Sequence, residues 1–265
     1  SIERPLVFGN NDAPGVVLSS AAKEYLKVYG VLVGKKPLIF TNNDSAYETA
    51  IEFKKNGIDP IVLDTRVNPS SEIIDEAKNL NINIKFSYVV IAAKGYKKVK
   101  SAEIAKISED KKDLGKIENI NCDCICVSGF WTPTIHLASQ SGNKTKFNKE
   151  IDAFLPSQSK QEETTLGSAN GIFTLEETIK TSFETGHELS KKITNNDNKV
   201  PVPQVAEKTS TQHDKFWCVP LPKGKKYKRF LDFQNDVAVT DVELALREGY
   251  RSIEHVKRYT TLGMA

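Results

Sequence analysis

Between residues 36 and 94, short apolar runs alternate with stretches of helical spacing, and this alternation leaves few folds open. Residues 37–41 (PLIFT) and 59–64 (DPIVLD) are apolar runs too short to be helices. Residues 45–55 and 68–80 carry helical patterning, while 82–86 and 88–94 read as further strands. A strand, a helix and a second strand in succession pack as a parallel crossover unit. The pattern predicts an α/β fold built on doubly wound parallel sheets. Residues 1–30 lead into it through an extended run, a turn over 9–15 and a helix over 19–28.

A sheet of this kind holds a dinucleotide where a strand turns into the following helix. Glycines are needed there so that the backbone can approach the pyrophosphate and the helix can pack on the strand. The turn after Phe40 reads TNNDSAYETA, and no glycine occurs from 41 to 56. Asn43, Asp44 and Tyr47 put side chains, one of them anionic, where phosphates would lie. Asp64 closes the second strand and suits either a ribose hydroxyl or a simple turn. We therefore expect the fold to persist here without the binding.

Cys122, Cys124 and Cys126 fall in CDCICVSGF, and Cys218 stands apart. Structural zinc sites favour pairs two to four residues apart with a second pair further on, a pattern this run lacks. Residues two apart on a strand share a face, so three buried thiols along one side are expected. His136 has no visible catalytic partner and is expected to serve core or cap packing. The net charge is +3, with 37 Lys and Arg against 34 Asp and Glu. That balance argues against a nucleic-acid or membrane partner. No apolar run approaches the roughly 20 residues of a membrane span and no signal peptide is visible, so a cytoplasmic location is expected.

Two later stretches carry candidate chemistry. Gly167-Ser168-Ala169-Asn170-Gly171 feeds a helix over 175–191 whose apolar residues are Leu175, Ile179, Phe183 and Leu189. A small-residue loop entering a helix offers backbone N–H groups to an anion, or it is simply a tight packing turn. Residues 193–229 are polar and proline-containing and read as a linker, with His213 and 223–228 solvated. Residues 241–248 form an amphipathic helix stopped by Gly249, and Ser252 can cap another. His255, Lys257, Arg258 and Tyr259 then crowd one helix end beside Thr260 and Thr261. Such a group suits a phosphate or carboxylate, or it is a basic helix end favoured by the dipole.

The segment 230–264, FLDFQNDVAVTDVELALREGYRSIEHVKRYTTLGM, resembles the part of the heterotetrameric sarcosine oxidase alpha subunit that precedes its folate-binding domain. ERP-x5-ND-x-PGV near the start and the region 117–190 resemble the same subunit, in the same order. The resemblance implies the two-dinucleotide-domain flavoprotein reductase fold. In it, 1–30 and 117–192 belong to a first nucleotide-binding domain and 31–116 to an inserted, degenerate second one. A linker over 193–229 and a small helical module over 230–265 follow. Carried over by motif, Gly167, Ser168, Gly171, Phe173 and Leu175 would line NAD, and Lys257, Arg258 and Tyr259 would serve FMN at the subunit interface. FAD would lie in the beta subunit, and beta, gamma and delta subunits would be the partners. Tetrahydrofolate would bind a C-terminal domain that continues past Met264. The implied activity is oxidative demethylation of sarcosine to glycine, with amine oxidation in the partner subunit. The chain opens without Met and stops at Ala265, so an internal piece of a longer subunit is expected. Related subunits open the last module with C-x-C for an iron–sulfur cluster. Here Asp232-Phe233-Gln234 supplies no thiolate, and no cluster is expected. A subunit of a related amine, opine or proline dehydrogenase and a non-catalytic assembly scaffold are the alternatives.

Overall fold

The computed structural model describes residues 1–194, 200–205 and 211–264. In chain order, β1 (Ile2–Glu3) and β2 (Val16–Leu18) precede α1 (Ser19–Tyr29). The expected alternation follows as β3 (Pro37–Thr41), α2 (Ala46–Lys55), β4 (Ile61–Asp64), α3 (Glu72–Asn79) and β5 (Asn83–Phe86). Next come β6 (Tyr88–Lys94), β7 (Ser101–Lys106), β8 (Glu118–Asn121) and β9 (Cys124–Ser128). The short elements β10 (Trp131–Thr132), α4 (His136–Gln140), β11 (Thr145–Asn148) and β12 (Ala153–Pro156) lead to the long helix α5 (Leu175–Thr194). The chain ends in β13 (Phe230–Asp232), β14 (Val237–Ala238), α6 (Val239–Arg247) and α7 (Ile253–Thr260).

These elements form two units. The larger contains Pro5–Gly129 and the chain from Phe216 onward; the smaller contains Ser1–Arg4 and Phe130–Lys215. At the centre of the larger unit is a five-stranded parallel sheet in the order β2-β9-β3-β4-β5. Two of its three inner strands, PLIFT and CICVS, are buried at every residue, as a parallel strand covered on both faces must be. Ile39, Val62, Cys124 and Cys126 face α1, α2 and α3, meeting Ala22, Ala50, Phe53 and Ile74. Leu38, Phe40, Leu63, Ile125 and Val127 point the other way, as the period of two requires. There they meet Val90 and Ile104 of a three-stranded antiparallel sheet, β6-β7-β8, which covers that face in place of a second helical layer.

Two expectations change here. The strands at 16–18 and 124–128, assigned by sequence to a first domain, pair within the same sheet as β3. The three neighbouring thiols do not share a face. Cys122 follows directly on β8 and packs with the antiparallel side, whereas Cys124 and Cys126 sit in β9 against the helices. Between them, Asp123 accepts the N–H groups of Lys35 (2.8 Å) and Lys36 (2.7 Å), which interrupts the strand. Burial pushes the Cys122 thiol up to about 12, well away from a reactive thiolate.

From Phe216 the supposed linker is strapped down. Val7 N donates to Trp217 O (2.7 Å), Val219 N returns to Val7 O (2.8 Å), and the Trp217 indole reaches Gly129 O (2.9 Å). Tyr227, expected to be solvated, donates to the buried Glu103 (2.8 Å) and accepts from Lys94 (2.7 Å). Parts of the expected linker, 195–199 and 206–210, lie outside the described residues. Asn11 then clamps Phe230 through both main-chain groups, accepting from its N (2.8 Å) and donating to its O (2.9 Å). This fixes the C-terminal hairpin, whose following helix is started by Ala238 N donating to Asp241 (2.8 Å).

In the smaller unit, Phe130 lies at left-handed φ 70° and stacks flat on His213, with ring centroids 3.9 Å apart. His213 is thus half-buried, not solvated, and burial lowers its pKa below the ordinary value. His136 is exposed at the first residue of α4, with no side-chain cap bond, so neither packing role expected of it applies.

Candidate functional site

The turn between β3 and α2 occupies the place where a dinucleotide's phosphates would be held, and its side chains turn inward. Asn42, Asn43 and Asp44 are all fully buried or nearly so. Asn43 organises the backbone: its amide donates to Ser128 Oγ (3.0 Å), while its Oδ1 accepts Ser45 N (3.0 Å). Asn42 donates to Phe216 O (3.0 Å). Asp44 and Asp64, at the ends of adjacent strands, converge on Arg66. Its Nη1 donates to Asp44 (2.7 Å) and its Nη2 and Nε to Asp64 (2.7 and 3.0 Å). Tyr47, from the first turn of α2, adds a hydrogen bond to Asp64 Oδ2 (2.8 Å).

The electrostatics follow from this geometry. Burial by itself would lower the Arg66 pKa, but the bonds and charge of Asp64 and Asp44 outweigh it and hold the guanidinium above its ordinary value. Burial and the Asp64 charge push the Tyr47 hydroxyl well up, so it is a neutral donor. Two carboxylates converge on one guanidinium in a turn that has no glycine, and the Lys111 ammonium donates to Thr65 O beside them. A pyrophosphate would have to displace this network and would meet anions when it did. Asp64 is thus engaged by Arg66 and Tyr47, not held ready for a ribose. Arg66 went unnoticed in the sequence, although Asp-x-Arg at a strand end is the local signal that folds a guanidinium back over its carboxylate.

The loop at Gly167–Asn170 is a short 3-10 turn, closed by Gly171 N donating to Ser168 O (3.3 Å). Gly167 (φ 63°) and Gly171 (φ 77°) adopt left-handed conformations. The left-handed φ of Gly171 favours glycine, and a Cβ there would also press on the side-chain ends of Leu155 (3.0 Å) and Ile151 (3.2 Å). Phe173 stacks edge-on against Phe130 at 5.0 Å. Leu175 opens α5 half-exposed. The helix end is poorly suited to phosphate, because Thr174 Oγ1 accepts Glu177 N (3.3 Å) and Glu176 and Glu177 occupy the first turn. None of the apolar residues on α5 is buried.

The basic group lies in the other unit. On α7 only Val256 is buried; His255, Arg258 and Tyr259 are exposed and Lys257 is half-buried. Tyr259 stacks on Tyr250 with centroids 4.8 Å apart. Lys257 and Arg258 form no ion pair among the described residues, which leaves their charge available to something outside the chain. Likewise, among the described residues no group of three or more His, Cys, Asp or Glu is placed to hold a metal ion. No helix among them is long and apolar enough to cross a membrane.

Residues 226–265, the hairpin with α6 and α7, match the family model described as the sarcosine oxidase A3 domain. Over 99% of its length the chain is 34% identical to the sarcosine oxidase subunit alpha of Rhizobium meliloti (strain 1021), covering 25% of that protein. The chain resembles the sarcosine oxidase alpha subunit from end to end. The corresponding subunit of Corynebacterium sp. (strain P-1) is 30% identical over 99% of the chain and 28% of that protein. The chain thus spans about a quarter of the length of the alpha subunits it matches. The fold is also that of L-proline dehydrogenase from P. horikoshii, with TM-score 0.56 and 18% identity, covering 100% of this chain and 48% of that one. An α/β fold with a parallel sheet and a small helical C-terminal module, expected from the sequence, is what the chain adopts.

Proposed function

We propose that the chain is part of the alpha subunit of a flavin-dependent amine oxidoreductase of the sarcosine oxidase kind. That enzyme would convert sarcosine to glycine, with tetrahydrofolate taking the one-carbon unit and oxygen the electrons. Similarity along 99% of the chain to sarcosine oxidase alpha subunits, including the A3 match, is the observation that carries this reading. In it, the unit holding Phe130–Lys215 contributes to a first nucleotide-binding domain, and the parallel-sheet unit is a second one that has given up its ligand. The filled turn at Asp44, Asp64 and Arg66 supports that loss, since the residues that would hold phosphates are bonded to each other.

NAD would be lined by Gly167, Ser168, Gly171, Phe173 and Leu175. The loop is uncharged, and the acids at the start of α5 point to the nucleoside portion rather than the phosphates as what it touches. Lys257, Arg258 and Tyr259 would face FMN at the interface with the beta subunit, where a cation stabilises a phosphate or an anionic reduced ring. FAD would belong to the beta subunit, with gamma and delta subunits completing the assembly in the cytoplasm. Co-expression of the full alpha subunit with its partner subunits tests the reading. Sarcosine-dependent oxygen uptake with matching peroxide is expected, together with extractable NAD; an assembled enzyme inert toward sarcosine rejects it.

A further inference from the structure

Helix α1 turns Ser19, Ala22 and Leu26 toward the core and leaves three larger side chains outside. Ser19 and Ala22 are its buried residues, while Tyr25, Val28 and Tyr29 are 48%, 58% and 66% exposed. Positions 25, 28 and 29 share one face of a helix. The chain then reverses at Gly30, which is left-handed (φ 64°), and Val31 N donates to Tyr25 O (2.9 Å). That closure sets Val31 and Leu32, 50% and 39% exposed, beside the same stripe. Five large apolar side chains in eight residues are therefore left in water on one contiguous surface. Such patches on a folded domain mark interaction sites.

The stripe runs into a cleft of about 510 Å³, lined by Leu32 and Val33 on one side and by Pro14, Gly15 and Lys98 on another. Gly34 lines it as well, where a Cβ would strike Cys124 Sγ at 2.5 Å and Asp123 at 2.6 Å. The rim is cationic. Lys27, Lys35, Lys36 and Lys98 are at the stripe or the cleft, and none forms an ion pair among the described residues. The Asp123 carboxylate also lines the cleft, held by the backbone N–H groups of Lys35 and Lys36 and by the charge of Lys98, so three lysines of the rim remain unanswered; Lys23 pairs with Glu48, and Glu24 is the acid on the helix flank.

These features select an occupant. A second copy of the chain meeting this face about a two-fold axis would set lysine against lysine, so self-association is disfavoured. A bilayer would cover the stripe but cannot fill a concave cleft. A polypeptide segment with apolar side chains and flanking carboxylates satisfies both. Resting on the subunit reading above, we propose that this face docks an acidic, apolar segment of a different subunit of the same enzyme. Aromatic and aliphatic groups of that segment cover Tyr25, Val28 and Tyr29, one side chain enters the cleft, and its acids pair with Lys35 and Lys98.

The test uses the full alpha subunit co-expressed with its partner subunits. A photo-crosslinking p-benzoylphenylalanine in place of Tyr29 is expected to capture an Asp- or Glu-rich peptide of another subunit, identified by mass. Tyr25→Glu with Val28→Glu, and separately Lys35→Glu with Lys98→Glu, should each lower the occupancy of that subunit at least tenfold. The thermal unfolding of the variant alpha subunit should stay unchanged, since all four side chains are on the surface. A silent crosslinker in an assembled wild type, a crosslink confined to the alpha chain, or binding of the assembled enzyme to anionic vesicles through this face overturns the docking alone. A wild-type alpha subunit that purifies without partners overturns the subunit reading together with it.

Discussion

Replacing Arg66 by Met should be among the most damaging substitutions in the larger unit. The guanidinium is 8% exposed and answers Asp44 and Asp64, which are 1% and 0% exposed. Its loss leaves two buried carboxylates, with the main-chain N of residue 66 (3.0 Å) and Tyr47 (2.8 Å) still donating to Asp64. Breaking a buried ion pair from one side costs about 3–5 kcal/mol. For a unit of this size, each kcal/mol lowers Tm by about 2–4 °C, so a fall of roughly 6–20 °C is expected. Calorimetry and urea unfolding on the full subunit would measure it. The control is the triple variant Asp44→Asn, Asp64→Asn, Arg66→Met, which removes the charges together and should recover much of the loss. An Arg66→Met protein within 1 kcal/mol of wild type, or a triple variant no better than the single one, refutes the assignment of the network as a buried ionic filling. Neither variant should gain NAD at this turn, because removing the charges restores no glycine.

Three further outcomes are expected. Gly171→Val should strain a left-handed position and push on Leu155 and Ile151, raising hydrogen exchange in the β11–β12 hairpin; NAD content that stays full while exchange rises rejects a cofactor role for the loop. The Asp232 carboxylate accepts Asn235 Nδ2 (3.0 Å), Gly263 N (2.8 Å), Asn235 N (3.1 Å) and Gln234 N (2.9 Å), and these bonds hold it down at about 2. Because the folded value is depressed, the stabilisation is present above the ordinary value of about 4 and fades as pH falls toward 2. The protection of the Gly263 amide, taken relative to its intrinsic exchange rate at each pH, should fall over that window, and in Asp232→Asn it should not vary with pH. Lys257→Met with Arg258→Met should leave Tm nearly unchanged, since neither charge forms an ion pair among the described residues and Met keeps the apolar stem of the half-buried Lys257, yet lower bound FMN; normal flavin content and turnover would reject the interface role.

The parts of this fold that were legible in the sequence are those fixed by local pattern. β3 and β6 occur at the residues expected, 37–41 and 88–94, because each is an apolar run that no helix of that length could use. β7 and β8, SAEIAK and ENIN, escaped notice because their apolar content is thin. What makes them strands is pairing, with Ile104 and Ala102 placed over the parallel sheet by β6. The insertion of β9 between β2 and β3 was likewise unreadable, since strand order depends on contacts between residues about a hundred positions apart.

The candidate site divides along the same line. The missing glycine of the β3–α2 turn is a local fact, readable from one decapeptide. What fills the turn is not local. Arg66 reaches Asp44 across 22 residues, Asn43 reaches Ser128 across 85, and Asn42 reaches Phe216 across 174. Asn42, Asn43, Asp44 and Arg66 are all buried and all bonded, where leaving such a group unpaired would cost about 1–3 kcal/mol. The Asp44–Arg66–Asp64–Tyr47 cluster holds together because its groups answer one another across that distance: an acid in the turn and an acid at the end of β4 share one guanidinium, and a neutral hydroxyl donates to the second acid.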